Sequence, residues 1–231
     1  MELSESILFE DNHLIAVYKQ VGDIVQGDKT GDEPLSEKVK KYLKQKYNKP
    51  GNVFLGVTHR IDRPVAGVVI FARTSKALSR LNKMFSLNEI HKTYWAIVKN
   101  PPPAAKGELV HWLKKNEKQN KSYAVNPEEK GAKKAILQYE TIGKSDNYFL
   151  LSVKLLTGRH HQIRCQLATI GCPIRGDLKY GFPRSNPDKG IDLLARQVKF
   201  IHPVSKAEIV INAPVPQSNL WQSLTKNLTN D

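Results

Sequence analysis

The chain has 231 residues, 40% of them hydrophobic and 25% charged, the balance of a soluble globular protein with room for a sizeable core. Lys and Arg number 36 against 22 Asp and Glu, a formal charge of +14, which suits contact with polyanions such as nucleic acid. Two cysteines without a CxxC pair exclude a disulfide framework and a cysteine-rich zinc site, and no apolar run reaches membrane-spanning length.

In chain order, Ile7 to Lys19 reads as two short strands around an Asp11-Asn12 turn. Leu35, Val39, Tyr42, Leu43 and Tyr47 form a helical stripe over 33–47, with five lysines mostly off it. Val53–Val57 and Gly67–Ala72 are strand-like apolar runs. Thr74 is the expected N-cap of a helix from Ser75 to Leu87, whose inner face is Leu78, Leu81 and Phe85.

Lys92–Lys99 alternates as a strand and stops at Pro101-Pro102-Pro103. Strands over 107–112, 122–125, 134–142 and 148–156 follow, with lysine-rich turns. His160 to Ile170 is predicted as a helix that Gly171 ends in the left-handed conformation. A strand pair over 198–201 and 208–211 and a helix over 219–227 close the chain. Many antiparallel strands interrupted by a few helices give an α+β fold with a large mixed or antiparallel sheet.

Chemistry concentrates in two segments. His59-Arg60-Ile61-Asp62 lies between two strand-like runs, so the carboxylate of Asp62 sits on a loop carried by a sheet. Thr157 to Arg164 runs from a strand into a helix. Arg164 follows Ile163 on that helix, at the edge of the core, and a partly buried guanidinium requires a carboxylate. Asp62 is a candidate partner, and a bidentate pair would keep it ionised for work as nucleophile or base. A structural salt bridge between helix and sheet explains the same residues equally well. Arg60 suits phosphate. Adjacent histidines on a helix diverge by about 100 degrees, so a metal site on His160 and His161 is a weak reading. Three lysine clusters, 38–49, 114–121 and 130–134, with Trp112 and Tyr123 nearby, favour a phosphate-backbone footprint.

His59-Arg60-Ile61-Asp62 followed by Gly67 to Thr74 resembles the H-R-L-D signature of the RluA family of pseudouridine synthases. Leu156 to Arg164, Gly171 to Asp177 and Tyr180-Gly181 resemble its second long motif. Asp11 to Gly22, Lys92-Thr93-Tyr94 and the closing stretch from Leu194 through His202-Pro203 to Pro216 follow in the family's order. The resemblance covers about 7–216.

It implies flanking helices, a central cleft, and the isomerisation of uridine to pseudouridine in RNA without cofactor or metal. Asp62 would be the catalytic aspartate, Tyr94 the active-site tyrosine, and Arg164 the partner of Asp62. Arg60, His59, Arg159 and Lys19 would meet the RNA, a ribosomal or transfer RNA stem-loop with its target base flipped out. Membrane and DNA are not expected partners, and a cytoplasmic monomer is expected. The whole chain is read as one catalytic domain, with no RNA-binding domain ahead of it.

Three positions depart from the family pattern. Val65-Ala66 stand where a Thr-Ser pair is usual, Lys19-Gln20-Val21-Gly22 lacks a Pro, and His160 replaces a Thr. Each lies beside a carried-over residue and bears on the choice of RNA. The alternative is a catalytically silent RNA-binding protein on the same fold. A metal-dependent RNA hydrolase using the histidines is a third.

Overall fold

The structure is a computed structural model and describes residues 3–28 and 31–228. Among these, the first half of the chain forms β1 (Ile7–Glu10), β2 (Leu14–Lys19), α1 (Leu35–Lys46), β3 (Gly56–Val57), β4 (Ala66–Ala72), α2 (Ser75–Ser86) and β5 (His91–Val98). The rest forms β6 (Lys106–Asn116), β7 (Lys121–Val125), β8 (Lys133–Lys144), β9 (Phe149–Leu155), α3 (Gln162–Thr169), β10 (Leu193–Ile201), β11 (Glu208–Asn212) and α4 (Asn219–Thr225). The fold is α+β, as expected. No helix among the described residues is long and apolar enough to cross a membrane.

By their contacts the residues divide into two compact units. These are Met1–Lys92 with Ala195–Pro214, and Thr93–Leu194 with Val215–Asp231. In the first unit the strand order is β1-β2-β4-β10, with β3 on β4 and β11 on β10. Every residue of β4 is buried, which explains its unbroken apolar run: a strand covered on both faces shows no alternation. Gly67 is needed beside β10. A Cβ there would stand 2.4 Å from the Ala195 carbonyl oxygen, and its φ of +133° disfavours any side chain.

Two helices flank these strands. Leu35, Val39 and Leu43 of α1 are buried, while Tyr42 and Tyr47 donate their hydroxyls to Glu10 at 2.9 and 2.6 Å. The Thr74 hydroxyl accepts from the Ala77 N–H at 3.1 Å, confirming the cap. The buried stripe of α2 is Ala77, Leu81 and Met84, and the predicted Leu78 and Phe85 flank it. The predicted strand over 53–57 shrinks to Gly56–Val57, because β3 pairs only with Ala72 and Phe71 at the end of β4.

The second unit runs β5-β9-β8-β6-β7, with antiparallel ladders throughout. Its hairpin β6–β7 is longer than predicted, reaching Asn116 opposite Lys121. Leu113, Ala135, Cys165 and Tyr180 form a core cluster that places α3 over this hairpin. Helix α3 starts at Gln162 rather than His160, because His161 has a φ of 51° and lies outside it. Gly171, with a φ of 78°, ends it as expected.

Candidate active site

In the first unit, the loop that carries Asp62 leaves β3 and is held by side chains acting as a substitute strand. The Thr58 hydroxyl donates to the Ile70 carbonyl at 2.6 Å, and the Ile70 N–H donates to His59 Nε2 at 3.0 Å. Both backbone groups of Ile70 are thus satisfied where β3 has ended. The His59 ring packs on Phe85 of α2 at 4.8 Å.

The far side of the loop is held from β2. Lys19 is 0% exposed, and its ammonium donates to the carbonyls of Gln20 and Asp23 at 2.8 Å and of Arg63 at 3.1 Å. The Arg63 carbonyl also accepts from the Gly22 N–H at 3.0 Å. Within the loop, the Val65 N–H closes a turn on the Asp62 carbonyl at 3.0 Å. The residue after the catalytic candidate is therefore bonded twice. Asp62 itself is half-buried and Arg60 exposed.

Two residues expected to meet RNA have hydrogen bonds that hold this loop. Lys19 has no exposed surface, so it makes no phosphate contact in this state. Burial lowers its ammonium to about 8, against the raising influence of Asp23 and Asp62. His59 accepts a hydrogen bond on Nε2, which requires the neutral ring. Burial, with Lys92 nearby, pushes it down to about 3. Neither role was legible from spacing, since both depend on what the fold brings around them.

In the second unit, Tyr94 sits on β5 opposite Val153 of β9 and is half-buried. Arg164 is 5% exposed, and its Nε and Nη2 donate to the two carboxylate oxygens of Asp177 at 2.7 and 2.9 Å. Asp177 is itself 1% exposed. This fork is a charge-assisted bidentate pair of the kind a buried arginine requires. Asp177 was missed as a partner, although it lies in the Gly176-Asp177 stretch of the second motif. Asp177 lies in the same unit as Arg164.

The segment before α3 is fixed by its polar side chains. The buried Gln162 takes the Thr157 hydroxyl at 2.8 Å and the Arg159 N–H at 2.9 Å on its oxygen, and donates to the Ile136 carbonyl at 3.0 Å. Arg159 is exposed, with its Nε on the Lys134 carbonyl at 2.9 Å. Lys134 lies over the Trp112 ring at 5.7 Å, and Lys121 over Tyr123 at 5.1 Å. The lysines of α1 differ: Lys38 pairs with Asp23 at 2.7 Å and Lys41 with Glu33 at 2.6 Å.

The family model for RNA pseudouridylate synthases matches residues 13–169. A ribosomal large subunit pseudouridine synthase C of Vibrio cholerae is 31% identical over 231 residues, covering 97% of this chain and 70% of the relative. A tRNA pseudouridine synthase C of Vibrio vulnificus is 32% identical, covering 94% of this chain and 93% of its own length. Among solved structures, human RNA pseudouridylate synthase domain containing 4 superposes with a TM-score of 0.78 at 22% identity, over 93% of this chain and 90% of that one. The matched span contains Asp62, Tyr94 and Arg164, the residues on which the sequence resemblance rests. The chain belongs to the RNA pseudouridylate synthase family, on its RluA branch, and is an isomerase that converts uridine to pseudouridine in RNA.

Proposed function

We propose that the protein modifies uridines of ribosomal or transfer RNA, the classes named for its relatives, with Asp62 as the catalytic aspartate. The observation that carries this reading is the doubly bonded loop. Thr58 and His59 fix it on β4, and Lys19 and Gly22 fix the Arg63 carbonyl one residue after Asp62. A carboxylate set on a loop with so little freedom is preorganised, as a group meeting a reacting carbon must be.

The reaction breaks the bond from C1′ to N1 and turns the uracil. It then forms a bond from C1′ to C5, and the C5 hydrogen is replaced by one on N1. No atom is gained or lost. Asp62 acts at C1′ as the ionised carboxylate, whether it bonds to the sugar or offsets positive charge developing there. Tyr94 serves the proton shuttle at the turned base, and Arg164 serves Asp62.

The target uridine leaves its stack before this chemistry, at a cost of about a few kcal/mol that is least in loops and bulges. Arg60 and Arg159, both exposed, hold the RNA backbone around it. So do Lys121 on the β6–β7 hairpin and Lys134 on β8. Purified protein incubated in chelator with unmodified ribosomal and transfer RNA should introduce pseudouridine at discrete sites. RNA that is bound but never isomerised would replace this reading with that of a silent binding protein.

A further inference from the structure

The fork on Asp177 accounts for two nitrogens of Arg164, and the third has a partner of a different kind. Nη1 stands 3.1 Å from His161 Nε2. A guanidinium only donates, so Nε2 is a lone pair and the ring hydrogen lies on Nδ1. His161 Nδ1 is 3.0 Å from the Tyr180 hydroxyl oxygen. That oxygen also accepts the Ser122 N–H at 2.9 Å.

Ser122 belongs to β7 and pairs with Lys115 across the β6–β7 hairpin. Its carbonyl is engaged as well, by the Cys165 thiol of α3 at 3.3 Å. A second line reaches the hairpin tip. His160 stacks on His161 at 3.8 Å, and its Nε2 is 3.1 Å from Asn120 Oδ1. The hairpin is thereby joined to the arginine by directed hydrogen bonds, in addition to apolar packing.

The acceptor on Nη1 is neutral. Burial and the Arg164 charge push the His161 imidazole down to about 2, and burial pushes the Tyr180 phenol up. A neutral ring sets direction without drawing on that charge. His161 also holds a left-handed backbone, φ 51°, which an L-residue adopts at a cost.

We propose that His161 and Tyr180 are positioning residues for Arg164, through which the β6–β7 hairpin sets the direction of the guanidinium. The inference rests on the reading that Arg164 serves the reaction. RNA gripping the hairpin would then act on Arg164 as well as on affinity.

The direct test is nitrogen NMR of the His161 ring in the intact wild-type protein. At neutral pH it should show a neutral ring with its hydrogen on Nδ1; a cationic ring, or hydrogen on Nε2, overturns the proposal without any variant. Tyr180→Phe keeps the ring over which the guanidinium lies at 5.1 Å and removes the oxygen. It should leave the Nδ1 hydrogen without its acceptor and lower kcat about 10-fold to 100-fold, the scale of a slightly misplaced catalytic group, with KM for RNA within about two-fold.

His161→Ala should cost as much, and the double variant no more than either single, because both act through one nitrogen. Additive losses, or losses confined to KM, overturn the proposal. If instead Arg164→Ala keeps its kcat while the tautomer is as described, the geometry stands and the assignment of Arg164 to the reaction fails.

Discussion

Removing Asp177 offers a sharp test of how Arg164 is held. Both partners are almost fully enclosed, at 5% and 1% exposure, and meet through two bonds of 2.7 and 2.9 Å. Asp177→Ala removes the carboxylate that a buried guanidinium grips with two hydrogen bonds, which costs about 3–5 kcal/mol. For a chain of this size that is a fall on the order of 10 °C in melting temperature. Replacing the pair together, Arg164→Met with Asp177→Leu, removes both charges and should recover most of the stability, since apolar residues of similar volume substitute well for a buried ion pair. Turnover should not recover, because the guanidinium is gone. Chemical denaturation and a pseudouridine assay on the three proteins separate the two effects. A cost below about 1 kcal/mol for Asp177→Ala, the range of an exposed pair, would refute the enclosed fork.

Lys19 gives a pH dependence whose two readouts have opposite signs. Burial takes its ammonium from 10.5 to about 8, so between those values the unfolded chain binds more protons and stability rises with pH, by up to about 3 kcal/mol. Turnover should fall over the same range, as the ammonium that holds the Arg63 carbonyl loses its charge; Lys19→Met should abolish the rise, and a turnover that climbs with stability would rule out the hold. Gly67→Ala should fail to reach wild-type stability at any pH, because its Cβ would lie 2.4 Å from the Ala195 carbonyl oxygen; denaturation showing less than about 1 kcal/mol of loss would mean that β10 can shift aside. For RNA binding, Lys121→Gln with Lys134→Gln should flatten the dependence of log affinity on log salt by about 0.7–0.9 per lost phosphate contact. Lys38, Lys40 and Lys41 of α1, already paired with acids, should change it little, and the reverse ranking would move the footprint to α1.

Local signals were legible in the sequence and tertiary ones were not. Thr74 and Gly171 act on their own helix ends, so their types and spacing sufficed. The extension of β6 to Asn116 was hidden because the lysines at 114, 115 and 118 interrupt the apolar alternation, while the ladder to β7 continues beneath them. His160 and His161 read as helical for want of a local breaker; His161 turns left-handed where its ring meets Arg164 and Tyr180. That Arg164 needs a buried acid followed from its place on the helix, but the identity of Asp177 depends on how the chain returns after α3. Lys19 looked like a surface lysine at a strand end, since nothing nearby in sequence announces the Arg63 carbonyl that meets it.

The central claim is that this chain isomerises uridine with Asp62. Pseudouridine mapping tests it on RNA from a strain lacking the gene, after incubation with wild-type protein or with Asp62→Asn. Wild type should restore pseudouridine at the sites lost from that strain. Asp62→Asn should restore none while binding the same RNA within a few-fold, because the substitution removes charge and keeps shape. Restoration by Asp62→Asn, or failure of the folded wild-type protein to modify any of those sites, would contradict the account.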